Sequence, residues 1–330
     1  MTIRLGTRRS ALATTQSEGV AQSLRDLGHD VELVLITTEG DVNRAPLESM
    51  GGTGVFAAAI RHALRAGEID LAVHSLKDLP VAPEPGLVVA ATPVREDPRD
   101  AVVARDGLTL AQLPYGALVG TGSPRRAAQL NALGLGLQIR GIRGNIDTRM
   151  SLVTSGAVDA VVLARAGLAR VGKTADITEV LDPLQMLPAP GQGALALEIR
   201  AGDDQLHTVV QELDDADTRA AVSAERAILA ALDAGCSSPI GALAEIFEEL
   251  DGSLHISLRA FVGSRDGGFE VRRSISGPIQ DGVRLGTDLA QLLLHEGAAS
   301  VMPAEAPPQR GVPPTTPEVR VPSNAAERES

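Results

Sequence analysis

Four short stretches of this chain hold residue types that do chemistry. In VGTGSPRRAAQL (119–130) an apolar run meets Gly122, Ser123 and Pro124. Serine is a favoured helix N-cap and proline suits the first helical position, so a helix is expected to start at Ser123. The free N–H groups of such a first turn attract anions. Arg125 and Arg126 would add bidentate donors beside them. In IRGIRGNIDTRM (139–150), Arg140, Arg143 and Arg149 are interleaved with Gly141 and Gly144. Residues 121–149 contain five arginines and one acid, Asp147, a local charge of +4 in a chain of net charge −12. The bland alternative is an ordinary surface helix start for the first stretch and a solvated basic face for the second. The inversion of charge argues for an anionic ligand, with glycines letting the arginines converge.

In IDLAVHSLKDLPV (69–81), Leu71 and Val73 read as buried strand positions, and His74, Ser75, Lys77 and Asp78 emerge at the strand's carboxyl end. Ligands of open α/β sheets bind at that end. Lys77 is one of two lysines in the chain. A carboxylate at Asp78 could stabilise a cation or act in proton transfer, against the blander reading of a salt-bridged loop. His74 by itself reads as a structural residue. In ALDAGCSSPIGA (231–242) the single cysteine, Cys236, follows a helical run among small residues. A lone cysteine is more often a small buried hydrophobe than a nucleophile. No base stands near it in sequence, which weakens the reading of a Cys-dependent acyl or thiol enzyme. No CxxC or Cys/His cluster exists, so no metal is expected. MGGTGVF (50–56) could open an anion-binding helix, but it is neither GxGxxG nor a P-loop.

The elements that must position these groups follow from periodicity. Strands are expected at 2–6, 31–37, 69–75 and 87–92, with helices at 10–27 and 54–67, a β-α-β rhythm that implies a buried, largely parallel sheet. The rhythm restarts after VREDPRD (94–100): strands at 101–104, 117–121, 137–140 and 159–164, helices at 124–133 and 146–156. LPAPGQGALALEIR (187–200) reads as a crossing followed by an apolar strand that returns to the first sheet. A long helix at 218–233, strands near 241–247, 253–262 and 269–276, and a helix at 280–296 make a separate α+β unit. The expected division is therefore 1–93 with 194–214, 94–193 and 215–302. The tail 303–330 has seven prolines and is expected to be disordered.

Composition narrows the classes. A net charge of −12 repels nucleic acid and anionic membranes, and 2% aromatics leaves little for base stacking. No uncharged apolar run is long enough to span a membrane. One cysteine precludes an intrachain disulfide, which fits a reducing compartment, and MTIRLGTRRS lacks the apolar core of a signal peptide; a cytoplasmic location is expected.

Taken in order over roughly residues 3–300, the stretches LGTRRSALA, TTEGD, GGTGVF, AVHSLKDLP, REDPRDAVV, VGTGSPRRAAQL, IRGNIDTR, LARAGLARVG, LPAPGQGALALE and AERAILAALDAGCSSPIGA resemble the porphobilinogen deaminase family. The resemblance implies two α/β domains like the lobes of periplasmic binding proteins around a cleft, plus a small C-terminal α+β domain. It implies a cytoplasmic, monomeric transferase. Such an enzyme deaminates four porphobilinogen molecules and joins them head to tail into hydroxymethylbilane, in tetrapyrrole (heme) biosynthesis. It implies a dipyrromethane cofactor on Cys236 through a thioether and a catalytic carboxylate at Asp78. Cofactor contacts would fall on Lys77, Asp78, Thr121, Ser123, Arg125, Arg126 and Gly144. Substrate contacts would fall on Arg8, Ser10, Phe56, Arg143, Arg149 and Arg170. Many members carry lysines where this chain has Ser49 and Thr53. The competing expectation is a non-catalytic, two-lobed anion- or solute-binding protein, which would need no cysteine on a third domain.

Overall fold

The computed structural model describes residues 2–37, 55–234 and 238–302, without the side chains of Val55 and Phe56. The expectations placed on Ser49, Thr53, the glycines of 50–54, the Phe56 side chain, Cys236 and the 303–330 tail lie outside the described residues.

The first unit is built from β1 (Thr2–Arg8), α1 (Ala11–Asp26), β2 (Asp30–Ile36), α2 (Val55–Arg65), β3 (Leu71–Ser75) and β4 (Leu87–Ala91). Ser10 caps α1, its side chain accepting from the Ala13 N–H at 3.3 Å. The second unit holds β5 (Asp100–Ala104), β6 (Leu118–Gly120), α3 (Pro124–Ala132), β7 (Gln138–Arg140), α4 (Ile146–Thr154), β8 (Ala160–Ala164), α5 (Arg165–Arg170) and β9 (Glu179–Val180). The chain then makes β10 (Leu195–Arg200) and α6 (Asp204–Gln211). The last unit is α7 (Ala216–Ala231), β11 (Ile240–Glu248), β12 (Leu254–Gly263), β13 (Glu270–Pro278) and α8 (Gly282–His295). Sequence periodicity missed α5, α6 and β9, which are short: six and eight residues for the helices, about two turns each, and two for the strand, too few repeats for a pattern to stand out.

The first sheet has the order β2-β1-β3-β10-β4 and the second β7-β6-β8-β5-β9. In each, four strands run parallel and the fourth in order runs against them: β10 between β3 and β4, β5 between β8 and β9. The expected return of the apolar strand to the first sheet is thus observed, with that strand in the middle and antiparallel. The two antiparallel strands sit at the two crossings of the chain, 92–99 and 181–194. There the crossings touch: Glu96 N–H donates to Gly193 O at 3.3 Å. Gly193 has φ +90, and a Cβ on it would lie 2.3 Å from Glu96 O, so glycine is required.

The third unit is an antiparallel meander, β11-β12-β13, covered on one face by α7 and α8. Alternate residues of β12, Ile256, Leu258, Ala260 and Val262, are fully buried and share a core with Ile228, Leu289 and Leu293. Period-two alternation turns Phe261 the other way, onto Leu187 and Ala128 of the second unit. The helices close tightly because Gly286 offers no side chain; a Cβ there would stand 2.4 Å from Ala224 O.

One buried carboxylate fastens this unit to both crossings. Glu225 of α7 is fully buried. Its oxygens accept from Arg95 Nη1 at 2.6 Å, Arg95 Nη2 at 3.0 Å, the Gly191 N–H at 2.6 Å and the Ala244 N–H at 2.9 Å. Arg95 Nε also donates to Gln192 O at 2.8 Å. Truncation would strand a buried guanidinium and two amides. Glu225→Ala is expected to destabilise the fold by about 3–5 kcal/mol, read as a lowered urea midpoint, with Glu225→Gln costing less. An unchanged midpoint would show that the crossings do not depend on this carboxylate.

Candidate active site

The carboxyl ends of β1, β3, β6 and β7 deliver the candidate residues. After β3 the chain makes one 3-10 turn, Leu76–Asp78, between the buried Leu76 and Leu79. That turn pushes Asp78 outward, exposed, and Lys77 toward the second unit. Asp78 lines a pocket with Arg8, Ser10, Gln16, Ile60, His74 and Ser75. Gln16 and Ser75 hold its floor through a 3.1 Å hydrogen bond. His74 is buried with Nε2 3.2 Å from Glu198 Oε2, and Arg61 grips the same carboxylate. Burial would raise the Glu198 pKa, but the bonds from His74 and Arg61 outweigh it and hold it below the usual range. His74 therefore has the structural, hydrogen-bonded setting expected of it.

Across the seam, Ser123 caps α3 as expected, its Oγ accepting from the Arg126 N–H at 3.4 Å. Thr121 is buried and its Oγ1 accepts from the Ser123 N–H at 3.2 Å. The two arginines that follow do not simply face outward. Arg125 and Arg126 are 3% and 5% exposed and converge on Asp100, which is fully buried. Arg126 Nη2 donates to Asp100 Oδ1 at 2.8 Å, and Arg125 Nη2 lies 2.8 Å from Oδ2. Arg125 further donates to Leu187 O, and Arg126 to Val162 O at 3.0 Å. Burial alone would raise the Asp100 pKa; the two guanidiniums hold it far below the carboxylate range. Part of the local positive charge is thus answered by an acid from another strand, and Arg140 turns away to Ala157 O.

A surplus remains. Gly144, at φ +108, has no room for a Cβ, which would sit 2.7 Å from Thr148. It lets the chain turn into the Asn145 cap of α4, and its carbonyl accepts from Arg149 Nε at 2.8 Å. Arg143 is exposed just before it. Burial lowers the Arg149 pKa, the charges of Arg126 and Arg143 lower it further, and Asp78 raises it. The first-unit carboxylate and three second-unit arginines therefore share one electrostatic site. Lys77 keeps some open surface, yet protein crowds its ammonium and pulls its pKa down to about 8; Asp78 opposes this, and Arg126 and Arg125 reinforce it. Arg170 stands apart: it donates to Gly193 O at 2.6 Å on the second crossing, and burial lowers its pKa. The structure thus gathers Arg8, Ser10, Lys77, Asp78, Thr121, Ser123, Arg125, Arg126, Arg143, Gly144 and Arg149, and sets Arg170 at the crossing.

Two polar residues went unsingled in the sequence. Asp100 begins an apolar strand, and Gln192 sits between glycines at φ +74 and +90. Gln192 Nε2 donates to Asp100 Oδ1 at 2.8 Å and Pro98 O at 2.7 Å, while its Oε1 accepts from Lys77 Nζ at 3.4 Å and Arg126 Nη2 at 3.5 Å. An acid at the head of an otherwise apolar strand was the available signal for Asp100. Gln192 had only its flanking glycines.

A family model described as porphobilinogen deaminase, dipyromethane cofactor binding domain, matches residues 3–208, and one described as porphobilinogen deaminase, C-terminal domain, matches residues 219–295. The chain belongs to the porphobilinogen deaminase family. Curated relatives of that name include one from Mycolicibacterium paratuberculosis, 57% identical over 94% of this chain and 99% of the relative, and one from Mycobacterium tuberculosis, 58% identical over 91% and 98%. Among solved structures, the methionine binding protein MetQ superposes with a TM-score of 0.43 at 14% identity, covering 66% of this chain and 91% of that one. The VFT2 domain of Bordetella pertussis BvgS gives 0.40 at 19%, covering 64% and 86%. These likenesses are too loose to add to the argument.

The site suits the family's dipyrromethane. Five cations, Lys77, Arg125, Arg126, Arg143 and Arg149, outnumber Asp78 and Asp100; beyond the effect of burial, neighbouring guanidiniums lower the pKa values of Lys77, Arg125 and Arg149. Arg126 Nε is buried without a hydrogen-bond partner among the described residues. Anionic side chains on a ligand would relieve both conditions. Among the described residues no His/Cys/Asp/Glu group is placed to hold a metal.

Because Lys77 titrates near 8 and a ligand carboxylate would raise that value, binding at pH 8–9 is expected to take up a proton. Calorimetry with a non-reactive pyrrole dicarboxylate, in buffers of different ionisation enthalpy, measures it. Equal uptake in Lys77→Met would rule Lys77 out as the source.

Proposed function

We propose that this chain deaminates porphobilinogen and joins four molecules head to tail into the linear tetrapyrrole hydroxymethylbilane, using a dipyrromethane attached to the Cys236 sulfur. The observation that carries the reading is that the Lys77–Asp78 turn of the first unit is joined to the arginines of the second through Gln192, which bonds Lys77, Arg126 and Asp100. The units 1–93 with 194–214, 94–193 and 215–302 would divide the labour: carboxylate, carboxylate-binding arginines, and covalent anchor. One sheet falls in each, which supports that division.

When bound, the dipyrromethane supplies the free pyrrole α-carbon to which the first substrate is joined. Lys77, Thr121, Ser123, Arg125, Arg126 and Gly144 would hold it. Arg8, Ser10, Phe56, Arg143 and Arg149 would hold the acetate and propionate of porphobilinogen, with Arg170 acting nearer the crossing. Ammonia leaves the substrate's aminomethyl carbon and a cation conjugated with the pyrrole N–H remains. The Asp78 carboxylate accepts that N–H and stabilises the charge where it develops. It can also take the proton that the pyrrole α-carbon forming the new bond must lose for its own ring to regain aromaticity. Fixed arginines orient each ring without reorganisation, the condition for effective positioning.

A cytoplasmic, monomeric enzyme fits these features. The chain's negative charge disfavours nucleic acid and anionic membranes as partners. No helix among the described residues is long and apolar enough to cross a membrane.

Intact mass spectrometry of the denatured chain tests the reading. An adduct of two pyrrole units is expected on Cys236 and absent in Cys236→Ser. A chain that stays unmodified even after incubation with porphobilinogen would sink it. Asp78→Asn is expected to keep the fold and lower kcat by at least about 10²–10³-fold; normal turnover would remove Asp78 from its assigned role.

A further inference from the structure

The turn that carries Lys77 and Asp78 has little of its own to hold it. It is one 3-10 turn, Leu76–Asp78, closed by a Leu79 N–H to Leu76 O bond of 3.1 Å, and Ser75 gives it no side-chain cap. A turn this short has poor hydrogen-bond geometry, so its shape depends on outside partners. One comes from the second crossing: the Leu76 N–H donates to Ala194 O at 3.0 Å.

Lys77 Nζ reaches Gln192 Oε1 of the same crossing at 3.4 Å. Further partners come from the third unit. Arg226 of α7, half-buried, donates through Nη1 to Leu76 O at 3.3 Å and Leu79 O at 3.0 Å, and through Nη2 to Pro80 O at 2.7 Å. Three carbonyls bracketing Lys77 and Asp78 are thus gathered by one guanidinium, whose planar fork suits this task. Val222, one helical turn earlier on the same face, packs in one cluster with Leu76 and Leu79. Val81, just beyond the turn, packs on the core of the third unit. The neighbouring residue on α7, Glu225, fastens the helix to both crossings. The same helix leads in sequence to Cys236.

We propose that Arg226 is the positioning residue for the Asp78 turn, holding the carboxylate at a set place relative to the helix that leads to the cysteine. This rests on the reading of Asp78 as the group at the reacting atoms. Arg226 itself touches the turn's backbone, so its effect should fall on kcat rather than on KM. A misplacement of about 1 Å in a reacting group can cost about 10²-fold in rate.

The test uses the full-length chain, with loading by two pyrrole units checked by intact mass after incubation with porphobilinogen. Arg226→Ala, Arg226→Lys, Asp78→Asn and the Asp78→Asn/Arg226→Ala pair are compared by single-turnover ammonia release and by steady-state kinetics. Arg226→Ala is expected to fold, load, and lose about 10- to 100-fold in kcat with KM within about twofold. Arg226→Lys should recover part of the loss. In the Asp78→Asn background the same change should cost nothing further, because the group it positions is already gone. Unchanged kcat in loaded Arg226→Ala overturns the proposal, and so does a fully multiplicative loss in the double variant. A folded variant that never loads also overturns it, since Arg226 would then serve the anchor. If Arg226→Ala does not fold, Arg226→Lys carries the same comparison; failure of both to fold assigns the residue to the scaffold and overturns the proposal. Normal turnover in Asp78→Asn alone separates failure of the Asp78 reading from failure of this one.

Discussion

The arrangement depends on a carboxylate that never sees solvent. Asp100 is wholly buried at the head of a strand, and two guanidiniums from the start of α3 close on it. Each buried ion loses several kcal/mol of hydration, which attraction offsets only when geometry and hydrogen bonds are good. Here one oxygen takes bonds from Arg126 and Gln192 while the other pairs with Arg125. The acid lets two arginines sit close together at a helix N-terminus, where their repulsion and the helix dipole would otherwise push them apart. Two charges against one leave the site positive. Gln192 extends the same network to Lys77, so the positive side of the site and the turn bearing Asp78 are linked through the crossing segment.

The crossings are where the two α/β units become one machine. Each of these units has one strand that runs against the other four of its sheet, and each such strand adjoins a crossing. The crossings touch at Gly193 and Glu96, and they are held by side chains from elsewhere: Arg170 on Gly193 O, Arg95 on Gln192 O, Glu225 on the Gly191 amide. The third unit packs one sheet face on its own helices and turns Phe261 onto the second unit. Through Arg226 it also reaches the first. It is a brace across both as well as the unit to which Cys236 belongs in sequence.

Much of this was legible without coordinates. The β-α rhythm, the cap at Ser123, the emergence of Asp78 after a buried strand and the return of the 195–200 strand all follow from local rules: period-two and helical patterning, capping preference and chain stiffness. The segments 119–130, 139–150 and 69–81 announced a basic lining and a carboxylate because charge against an apolar background is conspicuous in one dimension. The placement of β10 in mid-sheet, and its direction, was not legible, because strand order is set by contacts between distant segments.

Tertiary structure alone decided how each arginine's charge is answered. In the sequence five arginines near one acid look equivalent. In the fold Arg125 and Arg126 share Asp100, Arg140 and Arg149 each bond a carbonyl, and burial together with the charges of Arg126 and Arg143 lowers the Arg149 pKa. Residue identity determines which charges exist and which local element starts beside them. Only folding decides how far apart those charges lie and how much water stands between them, and Coulomb energy and desolvation depend on those two quantities. That is why the chain's own letters determined the chemistry available to it, while the fold assigned that chemistry to particular side chains.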